Sequence, residues 1–285
     1  MALRTLKEVL RESIGKKYAV GAFNVANHDL AEGILEASEE KGVPVIISVA
    51  EVHFRYLKLD RFIPYLKSRI EQHPEPVALH LDHGGSFDTA MQAIHYGFSS
   101  VMYDGSTLSF EENMENTAEI VRAAHAAGVS VEAELGHVAA GEGDLKHGTE
   151  VDRNLFTRPE DAREFVEKTG VDALAVAVGT VHGVYKGDPD LDFERLQQLR
   201  QEVDIPLVLH GGSGLSEDDF RQAVTHGINK INFFTGNSIA AVDRINREIE
   251  DREGFVNFPD LTLAAREQIK ENVKEQIEIF GTRPL

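Results

Sequence analysis

The 285-residue chain predicts an α/β fold: one (β/α)8 barrel domain over residues 1–285, with an additional C-terminal helix at about 261–281. Two observations carry this. Eight short runs rich in β-branched and apolar residues recur along the chain, and a longer stretch with helical periodicity follows each of them, the sequence form of repeated βα units. The length also suits such a barrel, which runs to roughly 250 residues as one unit. No linker or low-complexity segment interrupts the series.

The N-terminal stretch MALRTLKEVLRESIGKKYAV has an amphipathic helical pattern with charges throughout, unlike the apolar run and cleavage site of a secretory signal. Strands are expected at 18–25 (YAVGAFNV), 44–50 (PVIISVA), 77–83 (VALHLDH), 99–104 (SSVMYD), 129–135 (VSVEAEL), 171–178 (VDALAVAV), 205–210 (IPLVLH) and 228–234 (INKINFF). Helical stretches such as DLAEGILEASEEKG and SFEENMENTAEIVRAAHAAG end in a glycine suited to a helix C-cap. The segment 136–157, GHVAAGEGDLKHGTEVDRNLFT, has the length of a lid or binding loop. The final amphipathic stretch, LTLAAREQIKENVKEQIEIFG, would cover the barrel or pack on a second subunit.

Composition narrows the function. With 29 basic against 48 acidic residues and a net charge of −19, no basic run exists to track a phosphate backbone, so nucleic acid is not an expected partner. An anionic substrate would need local positive charge, which a metal ion supplies. The absence of cysteine removes disulfides, thiolate nucleophiles and cysteine-ligated zinc, leaving His, Asp and Glu as metal ligands. No apolar run approaches the roughly 20 residues of a membrane span, and the expectation is a soluble, cytoplasmic protein with no membrane partner.

Active sites of these barrels lie at the C-terminal ends of the strands. Reading those ends gives Asn24, Asp82 with His83, Asp104, Glu134, His182 shortly after strand six, His210, and Asn232 with Thr235. Ending the apolar strand VALHLDHGG in an acid and an imidazole is costly unless both find partners. A single strand-end histidine is more often a hydrogen-bonded cap than a ligand. Three on separate strands beside carboxylates point instead to metal or proton chemistry. The other nine histidines read as surface or core positions, with His137 unassigned. Two glycine-rich turns, GTVHGVYKG and HGGSGL, follow strands six and seven, where backbone N–H groups can approach an anion, and Ser213 precedes the next helix. Lys230 is the only lysine within an expected strand, so a Schiff-base route has little support.

In this order, AFNV, LHLDHG, YDGS, EAELG, VGTVHGVYKG, LVLHGGSGL and KINFFT resemble the class II metal-dependent fructose-bisphosphate and tagatose-bisphosphate aldolases over about the whole barrel. The resemblance implies a lyase that cleaves a ketose phosphate to dihydroxyacetone phosphate and an aldehyde, assembled as a homodimer or homotetramer. It implies one Zn2+ per subunit held by His83, His182 and His210, and it admits a monovalent cation. Asp82 matches the acid/base at the C4 oxygen, and Glu142 the glutamate exchanging the C3 proton. Asn24, Gly183, Gly211, Ser213, Asn232 and Thr235 fall where the sugar phosphate is bound, and Asp104 and Glu134 match acidic positions of an alternative metal site.

Departures from the pattern bear on substrate. Ala139 and Ala140 stand where the family loop has paired glycines, and Phe234 where Asp or Asn is usual. Ala50 replaces a serine, and Pro259 stands near an expected arginine, both groups that bind the distal phosphate of a bisphosphate. The expectation is therefore a ketose 1-phosphate, with His53 or Arg55 as a replacement anion site in the alternative case. Two other functions are compatible with three histidines and an aspartate: a barrel metallohydrolase using a zinc-activated water, and a non-catalytic binding protein. The first usually carries a His-x-His pair on strand one, absent from GAFNVAN, and the second is disfavoured by the retention of Asp82 and Glu142.

Overall fold

The computed structural model describes residues 2–138, 152–183, 185, 189–251 and 254–285. Eight parallel strands, β1 (Val20–Asn24), β2 (Val45–Ala50), β3 (Val77–Gly84), β4 (Ser100–Tyr103), β5 (Ser130–Leu135), β6 (Ala173–Val176), β7 (Leu207–Leu209) and β8 (Ile228–Phe233), follow one another around a closed barrel. The ring closes where Ala22 of β1 pairs with Ile46 on one side and Asn232 on the other. Around it run α2 (His28–Lys41), α3 (Leu59–Glu71), α4 (Phe87–Tyr96), α5 (Phe110–Ala126), α6 (Pro159–Thr169), α7 (Phe193–Glu202), α8 (Glu217–Thr225) and α9 (Thr235–Glu250), after a short α1 (Leu6–Leu10). Among the described residues no helix is long and apolar enough to cross a membrane.

The period of two along a strand sorts side chains between two cores. Phe23, Ile47, Leu79, Leu81, Val101, Val131, Leu174 and Ile231 join the large cluster shared with the helices. Alternate residues Val20, Ala22, Ile46, Ala78, Met102, Ala173, Ala175 and Val208 pack on one another and on Leu6, Val9 and Leu10 of α1, so they face the barrel axis and α1 plugs its N-terminal end. Further along the same inward faces the residues turn polar: Asn24, His80, Asp82, Glu132, Glu134, Lys230 and Asn232 are all buried. The lower barrel is packed like a core, and the upper barrel is a polar site.

Several boundaries differ from the sequence expectation for identifiable reasons. The N-terminal helix is only one turn and a half, closed by a Thr5–Glu8 capping box, and continues as a 3-10 turn at Arg11–Ser13. β7 begins after Pro206, which has no N–H for the ladder although its carbonyl accepts from Leu174. β3 runs to Gly84, two residues beyond Asp82. The C-terminal helix, α10 (Phe258–Phe280), starts before residue 261, packs on α2 and α9, and ends at Gly281 in the left-handed conformation. Of the long segment 136–157, residues 139–151 lie outside the described residues, and Glu142, Ala139 and Ala140 lie with them; Arg153–Leu155 form a 3-10 turn.

Candidate active site

Strict alternation along β3 would send Asp82 into the barrel and His83 out toward the helices. The backbone breaks that rule. His83 has φ 48°, the only non-glycine residue with positive φ among those described, and the β3–β4 register shifts between Leu81 and Gly84. This bulge turns both side chains to the mouth of the barrel. Gly84 permits it, since a Cβ there would lie 2.7 Å from the Met102 carbonyl oxygen.

His83 then meets His182, from the loop after β6, and His210, which follows β7 directly; the ring centroids are 4.8 and 4.6 Å away. One ligand atom from each of the three lies within 4.8 Å of the others. The outer nitrogens of two of them are oriented by carboxylates: His83 Nδ1 donates to Asp104 Oδ2 at 2.8 Å, and His210 Nε2 donates to Glu132 Oε1 at 2.9 Å. With those protons assigned, His83 Nε2 and His210 Nδ1 face each other at 2.9 Å with their lone pairs. Two lone pairs that close repel unless a proton or a cation lies between them, and carboxylates behind imidazoles are the usual way metal-binding histidines are oriented. Burial lowers the His210 pKa and keeps the ring neutral, as a ligand requires. The three residues therefore fit a divalent metal such as zinc.

A second group, His83, Asp104 and Glu134, also brings its ligand atoms within 4.8 Å. Burial and the neighbouring Asp104 push the Glu134 carboxyl up to about 8, whereas the Asp104 carboxyl is held below the usual carboxylate range: burial pushes it up, but His83 and Ser106 outweigh that. Ser106 Oγ donates to Asp104 and lies 3.1 Å from His137 Nδ1, which gives His137 a place at the edge of this group.

Asp82 is fully buried, and both its oxygens are held: Asn24 Nδ2 donates to Oδ2 at 2.7 Å and Asn232 Nδ2 to Oδ1 at 2.9 Å. Burial alone would raise its pKa, but His83, His210 and Lys230 overcome this and keep it ionised. The amide oxygens of Asn24 and Asn232 are buried without a partner among the described residues, two acceptors left over beside the carboxylate. The floor beneath is a network the sequence did not reveal. Lys230 Nζ donates to Glu132 at 2.7 and 3.0 Å, and His80 Nδ1 pairs with Ser100 Oγ at 2.8 Å, with all four side chains fully buried. Burial, then Lys230, lower the His80 pKa to about 3, so His80 is neutral there. Lys230 is thus engaged in an ion pair. The one available signal was parity: Glu132 and Lys230 share the inward face with Glu134 and Asn232.

The glycine turns and the start of α9 form a cradle beside the histidines, lined by Asn24, His182, Gly183, Gly211, Gly212, Ser213, Asn232, Phe234 and Thr235. Gly211 has φ 68°, and a Cβ there would lie 2.4 Å from the Val181 carbonyl oxygen, so only glycine lets the two turns meet. α9 begins without a side-chain cap or an acidic first turn, and its Gly236 N–H donates to Ser213 Oγ. Uncapped amides at the positive end of a 16-residue helix suit an anion. Gly183, Gly211, Ser213, Asn232 and Thr235 are thus brought together, and Asn24 and Asn232 also touch Asp82.

The chain matches the family model described as fructose-bisphosphate aldolase class-II over residues 4–284. It is 42% identical over 291 aligned residues to the fructose-bisphosphate aldolase of Staphylococcus epidermidis, covering 99% of this chain and 98% of that protein. Among solved structures it is similar to the YdjI aldolase from Escherichia coli K12, with TM-score 0.88 and 36% identity over 98% of both chains. A fructose-bisphosphate aldolase from Campylobacter jejuni, at 23% identity and TM-score 0.82 over 98% of this chain and 96% of that one, shares the fold. The chain belongs to the class II fructose-bisphosphate aldolase family and is a carbon–carbon lyase of the aldehyde-lyase type.

Proposed function

We propose that the enzyme reversibly cleaves a ketose 1-phosphate to dihydroxyacetone phosphate and an unphosphorylated aldehyde, with zinc held by His83, His182 and His210. The observation that carries the reading is the facing pair of imidazole nitrogens, His83 Nε2 and His210 Nδ1, each oriented by its own carboxylate and next to Asp82. Bound there, zinc supplies a Lewis acid that stabilises negative charge developing on the dihydroxyacetone phosphate half.

The chain's own groups do the rest. The cradle at Gly211, Ser213 and Thr235 holds the 1-phosphate on the start of α9. Asp82, kept ionised and aimed by Asn24 and Asn232, accepts the C4 hydroxyl proton as the C3–C4 bond breaks and C4 becomes the aldehyde carbon. The bonding pair stays with the C3 fragment, and Glu142 delivers a proton to C3 to release dihydroxyacetone phosphate. Lys230 stays paired with Glu132, so no lysine nucleophile is needed. The hydrolase alternative finds no support in the relatives, which are named aldolases.

Against a bisphosphate stand Ala50, buried at the end of β2 beside Asp82 with no group to donate, and Pro259, exposed on the first turn of α10. Loss of charge-assisted hydrogen bonds of about 1.5–3 kcal/mol each would weaken a distal phosphate about ten- to a hundredfold apiece. A panel of aldehydes offered with dihydroxyacetone phosphate and zinc, with products identified by mass and configuration, tests the reaction. A clear preference in kcat/KM for fructose 1,6-bisphosphate over ketose 1-phosphates would overturn the substrate assignment. Subunit association, as dimer or tetramer, has an apolar face available in Ile239, Val242 and Ile249 of α9 with Phe255 and Phe258, all exposed; sedimentation of the intact protein tests it.

A further inference from the structure

A second pocket opens at the same end of the barrel, between the loops after β1, β2 and β8, with a volume of about 310 Å³. We propose that this pocket, lined by Asn27, His53, Arg55, Tyr56, Phe234 and Ser238, binds the distal end of the substrate as a neutral, hydroxylated carbon chain, with the His53 ring as its hydrogen-bonding anchor. The inference rests on the ketose-phosphate reading above and names the part of the substrate that reading leaves open.

His53 is 3% exposed, and its Nδ1 is buried with no hydrogen-bond partner among the described residues. Buried polar atoms are rarely left unpaired, and because the His53 ring lines the pocket, a ligand hydroxyl seated there would supply the missing partner. The ring is fixed by Phe234, whose centroid lies 4.6 Å away. Phe234 and Thr235 also line the phosphate cradle, so the two pockets share a wall, and a molecule with its phosphate on α9 extends its far end past Phe234.

The chemistry of the lining selects the class of ligand. Burial lowers the His53 pKa below its ordinary value, against the pull of Asp82, so the ring is neutral near pH 7 and offers a hydrogen bond without a charge. Ala26, Leu30, Val52 and Phe234 give apolar surface for carbon, while Thr235 and Ser238 lie within the same lining as hydroxyl partners. Arg55 is exposed at the rim, its guanidinium 4.6 Å from the Tyr56 ring, so the one charged group of this lining stands at its solvent edge and the buried wall is neutral. The volume lies at the lower end of the roughly 300–1,000 Å³ of small-molecule sites, room for a chain longer than the three carbons of glyceraldehyde.

The test uses the zinc-loaded enzyme and three aldehydes with dihydroxyacetone phosphate: glyceraldehyde 3-phosphate, glyceraldehyde and erythrose. Wild type is expected to favour erythrose in kcat/KM over both three-carbon aldehydes. His53→Ala is expected to lower the ratio of erythrose to glyceraldehyde 3-phosphate by about tenfold or more, the loss of a hydrogen bond from a site built to make it. Ser238→Val, which narrows the pocket, should lower the same ratio and decides the matter if His53→Ala does not fold. Solvent proton exchange at C3 of dihydroxyacetone phosphate, measured in parallel without aldehyde, reports on the reading beneath. Exchange in wild type with a preference for glyceraldehyde 3-phosphate, or with a ratio unmoved in the folded variants, overturns the pocket assignment and leaves the aldolase reading standing. No exchange and no aldol product from wild type overturns both.

Discussion

His210 donates from Nε2 to Glu132 Oε1 at 2.9 Å, and the same carboxylate accepts Lys230 Nζ, with none of the three exposed to solvent. The carboxylate thus orients an imidazole on one side and neutralises an ammonium on the other. Burial pushes its pKa up, but Lys230 and His210 overcome this and bring it down to about 2.

Glu132→Gln should separate these two tasks. Metal affinity, measured by competition with a chelator, is expected to fall about 10–100-fold as His210 loses its orienting charge. Stability should fall by about 3–5 kcal/mol, because the Lys230 ammonium is left buried without a counter-charge. Adding Lys230→Met should recover much of the thermal stability without restoring the metal affinity.

Asp82→Ala should depress carbon–carbon cleavage by about 10² or more, the loss of a positioned acid/base. The variant should still bind dihydroxyacetone phosphate, because the cradle at Gly211, Ser213 and Thr235 is built from other elements. Steady-state cleavage beside equilibrium binding of the phosphate checks both parts.

Glu142→Ala should chiefly slow solvent exchange of the C3 proton of dihydroxyacetone phosphate, read by NMR in deuterated water. Unchanged exchange would move the role to another group, with His137, whose Nδ1 lies 3.1 Å from Ser106 Oγ, as one candidate and Asp144, on the same loop as Glu142 and outside the described residues, as the other.

On the outer wall, Glu32 of α2 accepts from Arg69 Nε and Nη2 of α3 at 2.7 and 2.9 Å, and also from Tyr65. Burial raises the Glu32 pKa, but Arg69 and Tyr65 outweigh it and lower the folded value below the ordinary one. A depressed carboxylate contributes stability above its unfolded pKa, and that contribution is lost as pH falls through the folded value. Glu32→Gln should therefore cost about 1–2 kcal/mol at pH 7 and flatten the decline of the thermal midpoint on the acid side, below about pH 5.

The eight strands were legible because each is a short run of β-branched and apolar residues followed by a helical stretch, and in β1, β3, β5 and β8 the inward face turns polar along the strand, to Asn, Asp or Glu. The strand-end residues Asn24, Asp82, His210 and Asn232 were legible for the same reason. The turn of His83 toward the site was not, because it depends on a left-handed backbone at a non-glycine residue and on a register shift against β4. Lys230 and Glu132 could be placed inward, but their pairing spans 98 residues and exists only once the barrel closes. His53 likewise reads as an ordinary loop histidine until Phe234, between β8 and α9, packs against it. Glycine turns announced the cradle, whereas the missing cap on α9 shows only in the folded chain.

The measurement that bears most directly on the reaction is cleavage of a ketose 1-phosphate by protein stripped of metal with a chelator, assayed with and without added zinc and in the presence of borohydride. If His83, His182 and His210 hold the metal, as proposed, and Lys230 stays paired with Glu132, turnover should vanish on chelation, return with zinc, and leave no substrate attached to lysine. Full activity in the metal-free protein, together with a borohydride-trapped lysine adduct, would contradict it.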